Sequence, residues 1–192
     1  AVTFDLGTLL TGFFPVDSGT VPYYFAIYAL ASLAGPLTLG RLFDTVGRKV
    51  MIAGCYLGAA GLLTLTALLF AAGILTSWTF LLMLVVTFFF ASTGASAAYL
   101  TVSEIFPMET RALAIAFFYA VGTASGGIVG PLLFGQFIES GSVTLVALGF
   151  YIGAAVMAVG GLAEIMFDVN PEGKSLEDIA KPLTAQQANQ ES

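Results

Sequence analysis

Apolar residues run through this chain in long, nearly unbroken stretches, and the short connectors between them hold most of the charge. Five stretches, at about 22–40, 50–72, 79–100, 112–138 and 143–167, reach the roughly 20 residues that a helix needs to cross about 30 Å of hydrocarbon. A segment surrounded by lipid must satisfy its own backbone amides, which only a helix can do by itself. An outer-membrane barrel would show alternating segments of roughly 10 residues, and none occurs. A sixth apolar stretch opens the chain and ends by Phe14, short of a full span. It is expected to be the second part of a longer helix, so the chain reads as truncated. The pattern predicts an all-α membrane protein, a six-helix bundle over residues 1–167 with the first helix incomplete, followed by a polar tail over residues 168–192.

The connectors then give an orientation. Residues 15–21, 73–78 and 139–142 fall on one side of such a bundle; residues 41–49, 101–111 and the tail fall on the other. With the tail set aside, the second side holds Arg41, Arg48, Lys49 and Arg111, and the first side holds no basic residue. Acids occur on both sides, Asp44, Glu104 and Glu109 against Asp17 and Glu139. Lys and Arg, unlike acids, mark the cytoplasmic face. The chain is therefore expected to be a multi-pass protein of the plasma (inner) membrane with its carboxy terminus in the cytoplasm. In the tail, Pro171 and Gly173 break the last helix, and Ser175 ahead of Leu-Glu-Asp-Ile can cap one short amphipathic turn. The final residues are polar enough to stay unfolded.

Composition narrows the reading further. Hydrophobic residues make up 58% and charged residues 9%, whereas a water-soluble domain carries about 25% charged residues. The first partner is thus the lipid bilayer. The formal charge of −6 sits mainly in the tail and loops, and the six Lys and Arg form no stripe that nucleic acid would recognise. Cys55 is the single cysteine and lies within an apolar run, so the chain has no internal disulfide. There is no His, which removes the commonest general base and the commonest transition-metal ligand. No paired nucleophile and base, no metal cluster and no cofactor motif is present, and the chain is not expected to be an enzyme. No basic region precedes the first apolar stretch, so no cleavable signal is indicated.

Three stretches carry chemistry. The first is Gly40-Arg41-Leu42-Phe43-Asp44-Thr45-Val46-Gly47-Arg48-Lys49. Glycines at 40 and 47 suit a tight turn between two helices, Asp44 can pair with Arg48 or accept from a helix amino terminus, and Arg48 and Lys49 anchor the turn at the membrane surface. The second is Ser103-Glu104-Ile105-Phe106-Pro107-Met108-Glu109-Thr110-Arg111, in which Glu104 and Arg111 flank a proline. The third runs from Gly122 to Pro131. Gly122, Gly126 and Gly130 recur every fourth residue and so share a helix face, which permits close helix approach, and Pro131 is expected to kink the helix.

The first stretch resembles the cytoplasmic loop of the major facilitator superfamily, Gly-x-Leu-x-Asp-Arg-x-Gly-Arg-Lys, which joins the second to the third helix and recurs between the eighth and ninth. Gly40, Leu42, Asp44, Gly47, Arg48 and Lys49 match; Thr45 stands where the family has a basic residue. The second stretch is similar to the loop between the tenth and eleventh helices of sugar-porter-like and metabolite-symporter members, Ser-Glu-x-Phe-Pro with an Arg four residues on. The tail Pro-Glu-Gly-Lys-Ser-Leu-Glu-Asp-Ile resembles a sugar-porter ending without its Thr-Lys pair, and nothing matches the sugar-porter pattern of the seventh helix. The resemblance implies a carboxy-terminal half, helices seven to twelve of the major facilitator fold, with an amino-terminal six-helix half as partner.

It also implies secondary active transport of a small polar metabolite, of the sugar or organic acid class, by alternating access with proton coupling. Gly40, Asp44, Gly47, Arg48, Lys49, Glu104 and Arg111 would then form a cytoplasmic gating motif. The cavity-lining segments would be the first, second, fourth and fifth, with Thr8, Thr11, Tyr28, Ser32, Ser92, Thr93, Ser96, Tyr99, Thr123 and Ser125 as their polar pool. Asp5, Ser96, Tyr99 and Thr123 are the candidates for proton or substrate binding, because a carboxylate within a membrane span is a functional candidate by default. Glu164, one turn from a helix end, can instead snorkel to the surface. The alternative is a self-contained six-span half-transporter or channel acting as a homodimer.

Overall fold

The computed structural model describes residues 2–106 and 108–166; the side chains of Asp44, of residues 102–105 and of Met108 and Glu109 lie outside that description. The tail expected over residues 168–192 also lies outside the described residues. The helices are α1 (Val2–Phe13), α2 (Val21–Thr45), α3 (Arg48–Ala71), α4 (Ser77–Ile105), α5 (Met108–Thr123), α6 (Gly130–Glu139) and α7 (Val143–Met166), with a π-helical segment, Ala124–Val129, joining α5 to α6. No strand occurs among the described residues. The α5–π–α6 run is one continuous rod, the fifth span. Five rods are long and apolar enough to cross a membrane, and the 12-residue α1 is the shorter sixth. The expected all-α six-helix half-bundle is the fold.

Helices overrun their apolar stretches. The second stretch loses its apolar character at Gly40, yet α2 continues to Thr45. Backbone hydrogen bonds do not need apolar side chains once the helix has left the hydrocarbon. The connector read from the sequence at residues 41–49 therefore shrinks to Val46 and Gly47. The Val46 N–H donates to the Leu42 carbonyl at 2.8 Å, and the Met51 N–H donates to the Gly47 carbonyl at 3.1 Å. Gly47 itself has φ 105°, where a Cβ would be strained, so this position uses the freedom of glycine. Gly40 does not, which corrects the expectation that it forms the turn: it lies inside α2. At the opposite end of the bundle, Thr76 caps α4. The Thr79 N–H donates to the Thr76 hydroxyl at 3.3 Å, and the Thr76 N–H donates to the Thr79 hydroxyl at 2.8 Å.

Packing follows a repeat. α3 packs between α7 and α4, α2 lies along α4, and α1 touches α6 and α2. Exchanging α1–α3 with α4, the fifth span and α7 turns α2·α4 into α6·α1, α2·α3 into α6·α7, and α1·α2 into α4·α5, all of which are observed. These three pairings follow a three-plus-three repeat, while the extensive α3·α4 packing has no comparable counterpart between α7 and α1. Sequence shares it: Gly35-Pro36-Leu37 with Gly40 in α2 corresponds to Gly130-Pro131-Leu132 with Gly135 in the fifth span.

The main core lies at the end away from Gly47. Phe14, Phe70, Phe80, Phe134 and Phe150, from five different segments, are all buried there. Their rings meet at centroid distances of 5.0–6.1 Å, for example Phe14 with Phe80 at 5.0 Å, Phe134 with Phe150 at 5.3 Å and Phe70 with Phe80 at 6.1 Å, the range of favourable aromatic pairs. A smaller cluster of Phe43, Ile52, Cys55 and Ala97 holds the other end.

Two features of the fifth span bear on the sequence reading. Ahead of Pro131 the backbone widens, and the Gly130 N–H reaches the Ser125 carbonyl, five residues back. Proline lacks an N–H and its ring crowds the carbonyl four residues earlier. A π turn gives the ring room. The glycine face is open within this half. A Cβ built on Gly122 or Gly126 would meet nothing within 4 Å, and no described residue of α5 or the π segment is buried. Close helix approach occurs elsewhere, at Gly35 against α4 and at Gly161, where a Cβ would stand 2.9 Å from Leu57 and 3.3 Å from the Ala53 carbonyl.

Candidate functional site

The polar residues of the inner helices form a line across α1, α2 and α4. The Thr3 and Tyr28 hydroxyls share a hydrogen bond of 2.7 Å. Tyr28 is buried, its ring edge-on to Phe88 at 4.9 Å. One turn further along α2 is Ser32, whose hydroxyl lies beside Tyr28 without being aligned for a hydrogen bond and has no other partner among the described residues. The Ser92 hydroxyl of α4 donates to the Ser32 carbonyl at 2.7 Å. Next to it, Thr93 is fully buried and donates to its own helix at Phe89, 2.7 Å. Of the polar pool read from the sequence, Tyr28, Ser32, Ser92 and Thr93 are thus brought together.

Local sequence explains why α2 and α4 meet here. Gly35 has no side chain, and a Cβ at that point would collide with the Phe89 carbonyl and the Thr93 hydroxyl. Only glycine allows the two backbones to approach so far. Pro36 follows, so the Ser32 carbonyl loses the N–H that would bond it within the helix. In lipid an orphaned carbonyl costs several kcal/mol. Ser92 supplies the missing donor.

Towards Gly47, the line opens into a cavity of about 180 Å³ whose lining includes Pro36, Gly40, Phe43, Arg48, Thr93 and Ser96. Five of those residues belong to the sequence-read motif or to the polar pool, or touch them directly in the chain. Gly40 and Arg48 of the gating motif therefore share one space with Ser96. The side chains of Asp44 and Glu104 lie outside the described residues. Arg111 is half-buried, and its Nε has no hydrogen-bond partner among the described residues.

The remaining candidates lie apart. Asp5 sits about 12 Å along α1 from Phe13. Its Oδ1 is 3.7 Å from where a Cβ on Gly135 of α6 would stand, and its Oδ2 is buried with no hydrogen-bond partner among the described residues. Tyr99 and Tyr119 face each other across α4 and α5 at 6.2 Å, both exposed. Thr123, one turn beyond Tyr119, is exposed on the uncovered fifth span. Ser125 donates to the Val121 carbonyl at 2.8 Å, and Thr11 to the Gly7 carbonyl at 3.0 Å, so both serve their own helices. Thr8 is exposed on α1. Glu164 is half-buried near the end of α7, within electrostatic reach of Tyr56 on α3.

Sequence reasoning missed Thr3, Gly35, Pro36 and Tyr119. A Gly-Pro pair within an apolar stretch was the available signal for two of them, since a proline inside a span always leaves a carbonyl needing a donor.

A polytopic helical bundle with a repeat of three helices, a polar line on its inner helices and a two-residue turn followed by basic residues at one end is the architecture of half a membrane carrier. The profile of the Major Facilitator Superfamily matches residues 2–188, and the chain belongs to that superfamily. It is similar to the "Probable plastidic glucose transporter 3" of Arabidopsis thaliana, at 32% identity over 155 residues that cover 78% of this chain and 30% of the relative. The chain thus spans under a third of the curated relative's length. No solved structure matches it significantly.

Proposed function

We propose that this chain is the carboxy-terminal half, helices seven to twelve, of a proton-coupled secondary transporter for a small polar metabolite of the sugar or organic acid class. The observation that carries the reading is the superfamily match over residues 2–188; the likeness to a protein named as a glucose transporter favours the sugar side of the class. In this reading an amino-terminal six-helix half covers the open fifth span, and the two halves rock about a midplane site. Thr3, Tyr28 and Ser32 supply hydroxyls for a polyhydroxyl or carboxylate solute, with Ser96, Tyr99 and Thr123 bordering it. Asp5 carries the coupled proton, because it is a carboxylate at depth with an oxygen that no described residue satisfies. The gating motif works at the other end of α2, where Val46 and Gly47 turn the chain in the cytoplasm and Arg48 opens α3.

Transport tests this directly. The intact protein in vesicles with an imposed proton gradient should accumulate a radiolabelled hexose or a small organic acid. Asp5→Asn should abolish gradient-driven accumulation while leaving solute exchange in place. Gradient-driven accumulation by Asp5→Asn at the unmodified level would remove Asp5 from the coupling role. Residues 1–192 alone should accumulate nothing; robust accumulation by them would favour the homodimeric half-transporter instead. Reaction of a cysteine at Thr45 with an impermeant thiol reagent in intact cells would overturn the orientation.

A further inference from the structure

We infer that Ser92 is a positioning residue: its hydroxyl stands in for the backbone N–H that Pro36 lacks, and so sets the angle between the two halves of α2. The geometry is direct. Proline at 36 leaves the Ser32 carbonyl without its intrahelical donor. The Ser92 hydroxyl, sixty positions away in the chain, donates to that same carbonyl at 2.7 Å. Its alternative partner, the Phe89 carbonyl of its own helix, is 3.3 Å away and the weaker bond. At Gly35 a side chain would meet the Phe89 carbonyl and the Thr93 hydroxyl, and its absence lets α4 come this close.

The position of this bond gives it a role. On one side of Pro36, α2 carries Tyr28 and Ser32 of the polar line; on the other it carries Gly40 and the turn to Arg48. A helix bends most readily where its hydrogen-bond ladder is broken. Whatever holds the Ser32 carbonyl therefore couples the candidate solute residues to the gating motif. With the bond made, the two halves of α2 keep one angle; with it broken, the bend at Pro36 is free. The functional half of this inference rests on the transporter reading, but the bond itself is tested without any transport.

Spin labels at Leu30 and Leu42, both exposed and on either side of Pro36, are about 18 Å apart along the helix. Their distance distribution is measured in the intact protein with Cys55 replaced by Ser. The unmodified protein should give one narrow peak. Ser92→Ala should broaden it and shift it to shorter distance, and Ser92→Thr, which keeps the hydroxyl, should restore it. In a Pro36→Ala background, where residue 36 regains its N–H, Ser92→Ala should leave the peak unchanged. An unchanged peak in Ser92→Ala alone overturns the inference, as does equal broadening with and without Pro36. Should Ser92→Ala fail to fold, recovery of folding by Pro36→Ala supports the inference, and lack of recovery overturns it. For transport, Ser92→Ala should lower the maximal rate more than it changes the half-saturation concentration, and Ser92→Thr should recover it.

Discussion

Two Gly-Pro pairs occupy equivalent places in the repeat, and the protein accommodates them in opposite ways. In α2, Gly35 lies buried against α4 and the carbonyl freed by Pro36 is bonded from outside by Ser92. In the fifth span, the turn before Pro131 widens into a π segment, and none of that segment's residues is buried. The first proline is stabilised by a neighbour and keeps an α-helical ladder around it. The second is accommodated by its own backbone, which gives up α geometry. The difference teaches that a proline in a membrane helix acts through its surroundings: its effect depends on whether another helix offers a donor to the orphaned carbonyl.

Gly35→Ala tests this contrast with the largest expected effect. The new methyl would strike the Phe89 carbonyl, which is backbone and cannot rotate away. Overpacking of this kind costs about 3 kcal/mol, whereas replacing a helical glycine by alanine returns about 1 kcal/mol. A net loss of about 2 kcal/mol should appear as a lower thermal midpoint of the purified protein. An unchanged midpoint would mean that α2 and α4 are not in this close contact.

Pro131→Ala has an intermediate effect of opposite sign. Alanine restores the N–H and removes the crowded ring, so the π turn should close towards α-helix. Amide exchange around residues 128–131 should slow by on the order of tenfold, about 1.4 kcal/mol of added local protection. Faster exchange there would show that the π geometry is imposed by something other than the proline.

Gly126→Ala should do least. Nothing lies within 4 Å of the added methyl, and helix propensity favours alanine by under about 1 kcal/mol. The thermal midpoint of residues 1–192 in detergent should stay level or rise slightly. A marked fall would reveal a contact on the glycine face.

What could be read from sequence followed from length and pattern. Spans were legible because lipid demands a continuous apolar run, and that demand leaves no freedom in the sequence. Helix ends were not, because α2 beyond Gly40 and α4 beyond Leu100 run on through polar residues, where hydrogen bonding continues and hydrophobicity gives no signal. The candidate site was half legible. Tyr28, Ser32, Ser92 and Thr93 stood out as polar residues in apolar runs. Their assembly was not visible, because it depends on an approach at Gly35 between helices more than fifty residues apart in the chain. The glycine face at Gly122 and Gly126 was legible as a pattern and has no close neighbour within this half, since spacing records what a helix permits and not what it touches.

The aromatic core at the end away from Gly47 has a mechanical consequence. Five segments are bolted together there through Phe14, Phe70, Phe80, Phe134 and Phe150, while the other end is held by the smaller cluster of Phe43, Ile52, Cys55 and Ala97. Under the proposed rocking motion, the more extensively packed aromatic end would serve as the fulcrum. The 24-residue α3 is a lever about 36 Å long. A tilt of about 10° at the fulcrum sweeps its far tip, where Arg48 stands, through about 6 Å, a displacement larger than a helical turn's rise.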